Sequence, residues 1–242
     1  VISIRNLTKQ YESGQEVLKQ ISLQIDDGDF VALLGVSGSG KSTILRCLTM
    51  QEKWTKGQLI YNGEDVTAMN LLQRLKLRTE WAYLHEKPQL NPNKSALKNV
   101  LSGRFFETPL WRKIIGKPAM DEHMLAMDLL EKVGMLDKAH ERVSKLSHGE
   151  QQRVAIAKAL VKGAKMIVAD EPVSGLEPES AIQVMQDLKH VCQKQQVTVV
   201  CSLHQIELAE RFATRIWGLS QGKIVVDIPA RRLTMREKDL IF

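Results

Sequence analysis

Gly35-Val36-Ser37-Gly38-Ser39-Gly40-Lys41-Ser42-Thr43 has the spacing G-x-x-x-x-G-K-[ST] of a phosphate-binding loop. Its flanks agree. Phe30-Val31-Ala32-Leu33-Leu34 is a short apolar run that reads as a buried strand, and Ile44 to Met50 continues a helix that starts at the lysine. Glycines let the backbone turn tightly enough for successive N–H groups to converge on phosphate oxygens. The helix N-terminus adds partial positive charge at the same point. In such a loop Lys41 reaches the terminal phosphates and the Ser42 hydroxyl ligates Mg²⁺.

The chain has 242 residues, 43% hydrophobic and 26% charged, an ordinary globular composition. No stretch approaches the roughly 18–20 apolar residues of a membrane span. The first residues lack the basic-then-apolar layout of a signal peptide, so a cytoplasmic chain is expected. The net charge of +6 comes from interspersed charges without a run of one sign, which favours a solvated mixed surface over a nucleic-acid groove. A mildly basic surface also suits the anionic inner leaflet of a membrane. Cys47, Cys192 and Cys201 have no metal-type spacing and read as buried small residues of a reduced compartment.

Apolar residues alternate at Ile2 and Ile4 and at Ile21, Leu23 and Ile25, the pattern of half-exposed strands. Further strands are expected at Gln58–Tyr61 before the Asn62-Gly63 turn, and at Trp81–Leu84, Met166–Ala169, Thr198–Cys201, Ile216–Leu219 and Lys223–Ile228. Ser95 to about Lys162 is mainly helical, with Met124, Met127, Leu130 and Val133 expected in its core. Thr108–Ala119, with two prolines and a Trp-Arg-Lys group, reads as a surface connection. Another helix is expected over Glu179–Lys194. Strands alternating with helices imply an α/β fold with a mostly parallel sheet covered on both faces. The long helical stretch is expected to form a separate small subdomain.

Met166-Ile167-Val168-Ala169-Asp170-Glu171 is an apolar run ending in two carboxylates, the form of a Walker B strand. Asp170 is placed to hold Mg²⁺, and Glu171 to orient and deprotonate an attacking water. Leu146-Ser147-His148-Gly149-Glu150-Gln151-Gln152-Arg153-Val154 then resembles the signature motif of ATP-binding-cassette proteins, usually Leu-Ser-Gly-Gly-Gln, with a long helix after it. The resemblance spans essentially the whole chain. It implies a P-loop NTPase with a RecA-like core and antiparallel β subdomain at about 1–86 and 163–228, a helical signature subdomain at about 87–162, and a short tail at 229–242.

The resemblance also assigns residues. The loop Gly35, Val36, Ser37, Gly38, Ser39, Gly40, Lys41, Ser42 and Thr43 binds ATP, and Tyr11 stacks on adenine. Ser147, His148, Gly149 and Glu150 face the γ-phosphate of ATP held by a second copy. Ser174, Gly175, Leu176 and Glu177 occupy the D-loop, and His204 is the switch histidine. Catalysis falls to Glu171, His204 and Lys41, and Mg²⁺ to Ser42, Asp170 and Glu86.

Four positions depart from the family pattern, one of them Glu150, which stands in place of the signature glutamine, a change common in the family. Glu86 stands where the Q-loop has glutamine, unless a shifted loop brings in Gln89. His148 replaces the first signature glycine, where its ring would crowd the facing nucleotide or hydrogen-bond to it. Glu177 replaces the D-loop aspartate. Together they suggest a divergent or slow ATPase.

The implied assembly is a homodimer of cassettes on integral-membrane permease subunits at the cytoplasmic face, with an extracytoplasmic substrate-binding protein and no nucleic acid. Ser202-Leu203-His204-Gln205, Gly103-Arg104 with Pro109-Leu110-Trp111-Arg112, and Val133–Ala139 resemble the phosphonate importer ATPases. Phosphite, phosphate esters and other anions stay open as substrates. A nucleotide-gated regulatory subunit, or a soluble cassette acting on nucleic acid, are the alternatives.

Overall fold

Alternating apolar residues and unbroken apolar runs build two different sheets. The computed structural model describes residues 1–104 and 120–242. Chain order begins β1 (Ile2–Gln10), β2 (Glu16–Ile25), β3 (Phe30–Leu34), α1 (Lys41–Leu48), β4 (Lys56–Tyr61), β5 (Glu64–Asp65), α2 (Leu71–Glu80) and β6 (Trp81–Leu84). It continues with α3 (Ala96–Leu101), α4 (Met120–Lys132), α5 (His148–Val161), β7 (Met166–Asp170) and α6 (Pro178–Gln195). The last elements are β8 (Thr198–Leu203), α7 (Ile206–Phe212), β9 (Arg215–Ser220), β10 (Lys223–Pro229) and α8 (Met235–Ile241).

The alternating segments form an antiparallel sheet, β2-β1-β4-β5, with Ile2 opposite Ile25 and Ile4 opposite Leu23. The apolar runs form a six-stranded sheet, β10-β9-β3-β8-β7-β6, parallel except for the edge strand β10. Strand β3 shows why its run is unbroken. Phe30, Ala32 and Leu34 pack into a core shared with α5 and α6, while Val31 and Leu33 pack into a second core with α1 and the antiparallel sheet. A strand buried on both faces has no position for a polar side chain. The expected mostly parallel, doubly covered sheet is therefore present.

Strand β8 runs two residues beyond the expected Cys201, which carries Ser202 into the sheet beside Asp170. Met124 is a correction. It is 64% exposed, whereas Leu130 and Val133 are buried. Three-residue steps fall short of a helical turn by about 60° each, so three steps place Met124 opposite Val133. Helices α2, α7 and α8 lie in segments where no helix was expected. The expected tail ends in α8, whose Ile241 is fully buried against Gly218. The surface connection expected over 108–119, and the Pro109–Arg112 segment, lie outside the described residues.

Candidate functional site

The strands β3, β7 and β8 end together, and the chemistry-bearing side chains collect at their carboxyl ends, the place where open α/β sheets bind ligands. After β3 the chain turns through Gly35–Gly40 into α1. A side chain at Gly35 would strike the Leu219 carbonyl at 2.4 Å, so this residue must lack one. Gly40 takes φ 108° as it caps α1, a backbone shape that L residues avoid. No acidic residue sits in the first turn of α1, so its partial positive charge is uncancelled.

Lys41 is only 4% exposed. Its ammonium donates to the Gly35 carbonyl (2.8 Å) and the Val36 carbonyl (3.1 Å), and lies 3.7 Å from Glu171 Oε1. Burial holds the Lys41 pKa below the usual lysine range, with Glu171 and Asp170 pulling the other way. Ser39 Oγ is buried in the loop without a hydrogen-bond partner among the described residues. A buried hydroxyl without a partner at a helix N-terminus suits an anion, which supplies the missing acceptor.

The second cluster surrounds Asp170. Its Oδ1 accepts from Ser42 Oγ (3.1 Å) and Ser202 Oγ (2.8 Å), and its Oδ2 accepts from the Tyr83 hydroxyl (2.8 Å). Burial, together with the Asp170 carboxylate, pushes the Tyr83 phenol pKa well up, so it stays a donor. Ser42 and Asp170 offer two hard oxygens side by side, the donor set that Mg²⁺ takes when water and phosphate supply its other ligands. Among the described residues no group of three or more His, Cys, Asp or Glu is arranged to hold a metal by itself.

Glu171 follows with φ 49°, a left-handed conformation costly for glutamate. Its N–H donates to Ser202 Oγ (2.9 Å), and its Oε1 lies 2.7 Å from His204 Nε2. One carboxylate thus touches both the loop lysine and the histidine beyond β8. Tyr11 stands beside the first turn of α1, its hydroxyl 3.5 Å from Thr43 Oγ1, with the Lys9 ammonium 4.8 Å from its ring centre.

The signature residues form a separate group. Ser147 caps α5 in a capping box: Glu150 N–H donates to Ser147 Oγ (3.3 Å), and Ser147 N–H donates to Glu150 Oε2 (2.9 Å). Glu150 also meets the Lys138 ammonium at 2.6 Å. A side chain on buried Gly149 would come within 3.0 Å of Ser180 Cβ on α6. The His148 ring lies 3.0 Å, through Nε2, from the Glu86 carbonyl of its own chain. Ser174–Glu177 lead into α6, with Glu177 capping it, Pro178 in its first turn and Gly175 at φ 67°.

Glu86 is not brought to Ser42 and Asp170. It is exposed, and among the described residues its recorded hydrogen bonds run through its backbone carbonyl. The neighbouring His85 is the residue near the Asp170 cluster, its ring edge-on to Tyr83 at 4.7 Å. Burial lowers the His85 pKa, with Asp170 raising it. Tyr83 and Ser202 were given no role beside Asp170 from the sequence. Their places follow from the parallel register with β7, in which Ser202 pairs with Asp170 and Tyr83 with Val168.

The three cysteines are free and buried, and burial pushes the Cys47 thiol up to about 12 and the Cys192 thiol to about 11. No helix among the described residues is long and apolar enough to cross a membrane.

Residues 18–174 match the family model described as ABC transporter. The chain is 38% identical over 242 residues to a phosphonates import ATP-binding protein of Lactococcus lactis subsp. cremoris, covering 100% of this chain and 98% of the relative. It is also 38% identical over 233 residues to a protein of that name from Staphylococcus aureus USA300, covering 96% and 91%. Among solved structures, a dimeric ATP-binding cassette in a post-hydrolysis state with ADP and phosphate superposes with a TM-score of 0.81 at 30% identity. That match covers 96% of this chain and all of that one.

Proposed function

The chain belongs to the ABC transporter family, and from that premise we propose that it is the ATP-hydrolysing subunit of an importer for phosphonates or a related phosphorus-containing anion. The observation that carries the ATPase reading is the meeting of Lys41, Asp170, Glu171 and His204 at the ends of β3, β7 and β8. The substrate class rests on the names of the full-length relatives.

In this reading the loop N–H groups and Lys41 hold the β- and γ-phosphates, Lys41 exchanging the Gly35 and Val36 carbonyls for phosphate oxygens. Tyr11 stacks on adenine. Ser42 and Asp170 hold Mg²⁺, which supplies charge neutralisation at the phosphates when bound. Ser202 and Tyr83 aim the Asp170 carboxylate. Glu171 takes the proton from the attacking water, and His204, hydrogen-bonded to it, holds that carboxylate and the γ-phosphate in register.

Ser147 and Gly149 at the start of α5 face the nucleotide of a second cassette, and the Ser174–Glu177 turn lies at the same junction. Closure of the two cassettes completes both sites, and hydrolysis reopens them. The permease docks where β6 meets α5. A groove of about 500 Å³ there is lined by Arg78, Trp81, Tyr83, Leu84, Lys158 and Lys162. Beside it α2 leaves Leu71, Leu72 and Leu75 largely exposed, an apolar patch that invites a partner. An extracytoplasmic binding protein completes the importer, and the cassettes sit on the cytoplasmic face.

The test is Glu171→Gln. It should keep ATP binding, abolish turnover and stabilise an ATP-bound dimer. Normal turnover in this variant refutes the assigned base. A wild-type chain that binds ATP but does not hydrolyse it, with or without permease, points instead to a nucleotide-gated subunit.

A further inference from the structure

Helix α5 holds the loop after β6 by its backbone, and one of the residues that does so is where this chain departs from its family's signature. His148 and Gln152 lie one turn apart on the same face of α5. Gln152, fully buried, donates from Nε2 to the Glu86 carbonyl (2.6 Å) and the His85 carbonyl (3.1 Å). His148 Nε2 reaches the same Glu86 carbonyl at 3.0 Å. Further along, Lys158 donates to the Gln89 carbonyl (3.1 Å). The opposite end of this loop is fixed too. Leu84 pairs with Ala169 in the sheet, and Tyr83, one residue earlier, donates to Asp170. A continuous set of contacts therefore runs from the first turn of α5, through two carbonyls, to the carboxylate beside Ser42.

We propose that His148 is a positioning residue: its Nε2–H, donated to the Glu86 carbonyl, ties the signature helix to the β6 loop and so links the two half-sites carried by one chain. The glycine usual at this position has no donor to offer. A ring engaged on Glu86 is also held against its own chain instead of projecting from the start of α5. The turnover part of this inference rests on the ATPase reading above; the structural part does not.

Glutamine and asparagine separate the hydrogen bond from the bulk of the ring. The amide nitrogen of glutamine falls near the place of histidine Nε2, whereas that of asparagine falls near Nδ1. Hydrogen–deuterium exchange of residues 85–90 in the full chain is the first readout. His148→Gly and His148→Asn should raise exchange there about 3- to 10-fold, the size expected for one lost hydrogen bond, and His148→Gln should restore it. The second readout is ATP turnover. The Gly and Asn variants should lose about 3- to 10-fold in kcat with little change in KM, and the Gln variant should recover.

Unchanged exchange in His148→Gly overturns the proposal, as does equal loosening in all three variants, because the Nε2 donor would then not matter. A wild-type chain without turnover counts against the ATPase reading alone, since exchange still decides the tie.

Discussion

The two half-sites of this chain are built on opposite principles. The Lys41 half hangs from three parallel strands whose register fixes every partner. Asp170 is held by Ser42, Ser202 and Tyr83 from three separate elements, and Lys41 by two carbonyls of its own loop. The Ser147 half is the end of one helix, where the Ser147 N–H donates to the Glu150 carboxylate and the Glu150 N–H to the Ser147 hydroxyl. The first is braced by side chains from several elements, whereas the second satisfies its first turn with a carboxylate of the same helix. Departures from the family pattern follow this division. His148, Glu150 and Glu86 lie at the second half or on the loop tied to it and Glu177 on the turn into α6, while Lys41, Asp170, Glu171 and His204 are all retained.

The largest break should come at the Lys41 half. Glu171→Gln removes the proposed base and should cost about 10²- to 10⁴-fold in turnover, read by phosphate release at saturating ATP. Next come the residues that aim Asp170. Tyr83→Phe and Ser202→Ala each delete a hydrogen bond to a charged group, for which about 10- to 100-fold is expected. That loss should appear as a raised Mg²⁺ requirement, with binding of metal-free nucleotide little changed. Equal losses at all Mg²⁺ concentrations would show that these residues merely support the strand ends. A smaller effect belongs to the docking face. Leu72→Asp with Leu75→Asp should remove several-fold permease stimulation while the purified chain keeps its own ATPase rate. The leucines are exposed on α2 and support no buried core, so the chain's own stability should not suffer.

The same division decides what the sequence discloses. The Lys41 half is written in contiguous segments: a strand, a glycine turn and a lysine follow one another, so 30–48 was legible as strand, loop and helix. Residues that act across strands were not. Ser202 depends on β8 running on past Cys201, and Tyr83 on the alignment of β6 with β7. Neither register is visible in one segment alone. The loop after β6 shows the same limit. Aligning back from Leu97-Lys98-Asn99-Val100 puts Glu86 where the family has its glutamine, yet the strand ends at Leu84 and its direction carries His85 towards Tyr83. Spacing along a loop does not say which side chain points inward. The C-terminal helix was hidden because only Ile241 is buried in it, although Thr234 and Glu237 form a capping box that was there to be read.

The subtlest prediction tests whether the Ser147 half is held back by its own charge. Burial disfavours ionisation of Glu150, but the Lys138 ammonium and the Ser147 N–H outweigh it and hold the carboxyl below its usual range. It is therefore anionic at neutral pH and, in the proposed dimer, sits where the partner's phosphate would approach. Glutamine completes the same capping box while removing that charge. The lost pair with Lys138 is solvent-exposed on the lysine side and worth little. Charges near a helix N-terminus contribute about 0.3–1 kcal/mol, so Glu150→Gln should tighten ATP-dependent dimerisation by about 2- to 5-fold. Sedimentation of Glu171→Gln chains with and without the second change, at low salt, measures it. Weaker dimerisation would mean that the carboxylate organises the interface, and the contrast between a half-site braced by several elements and one satisfied within its own helix would have to be given up.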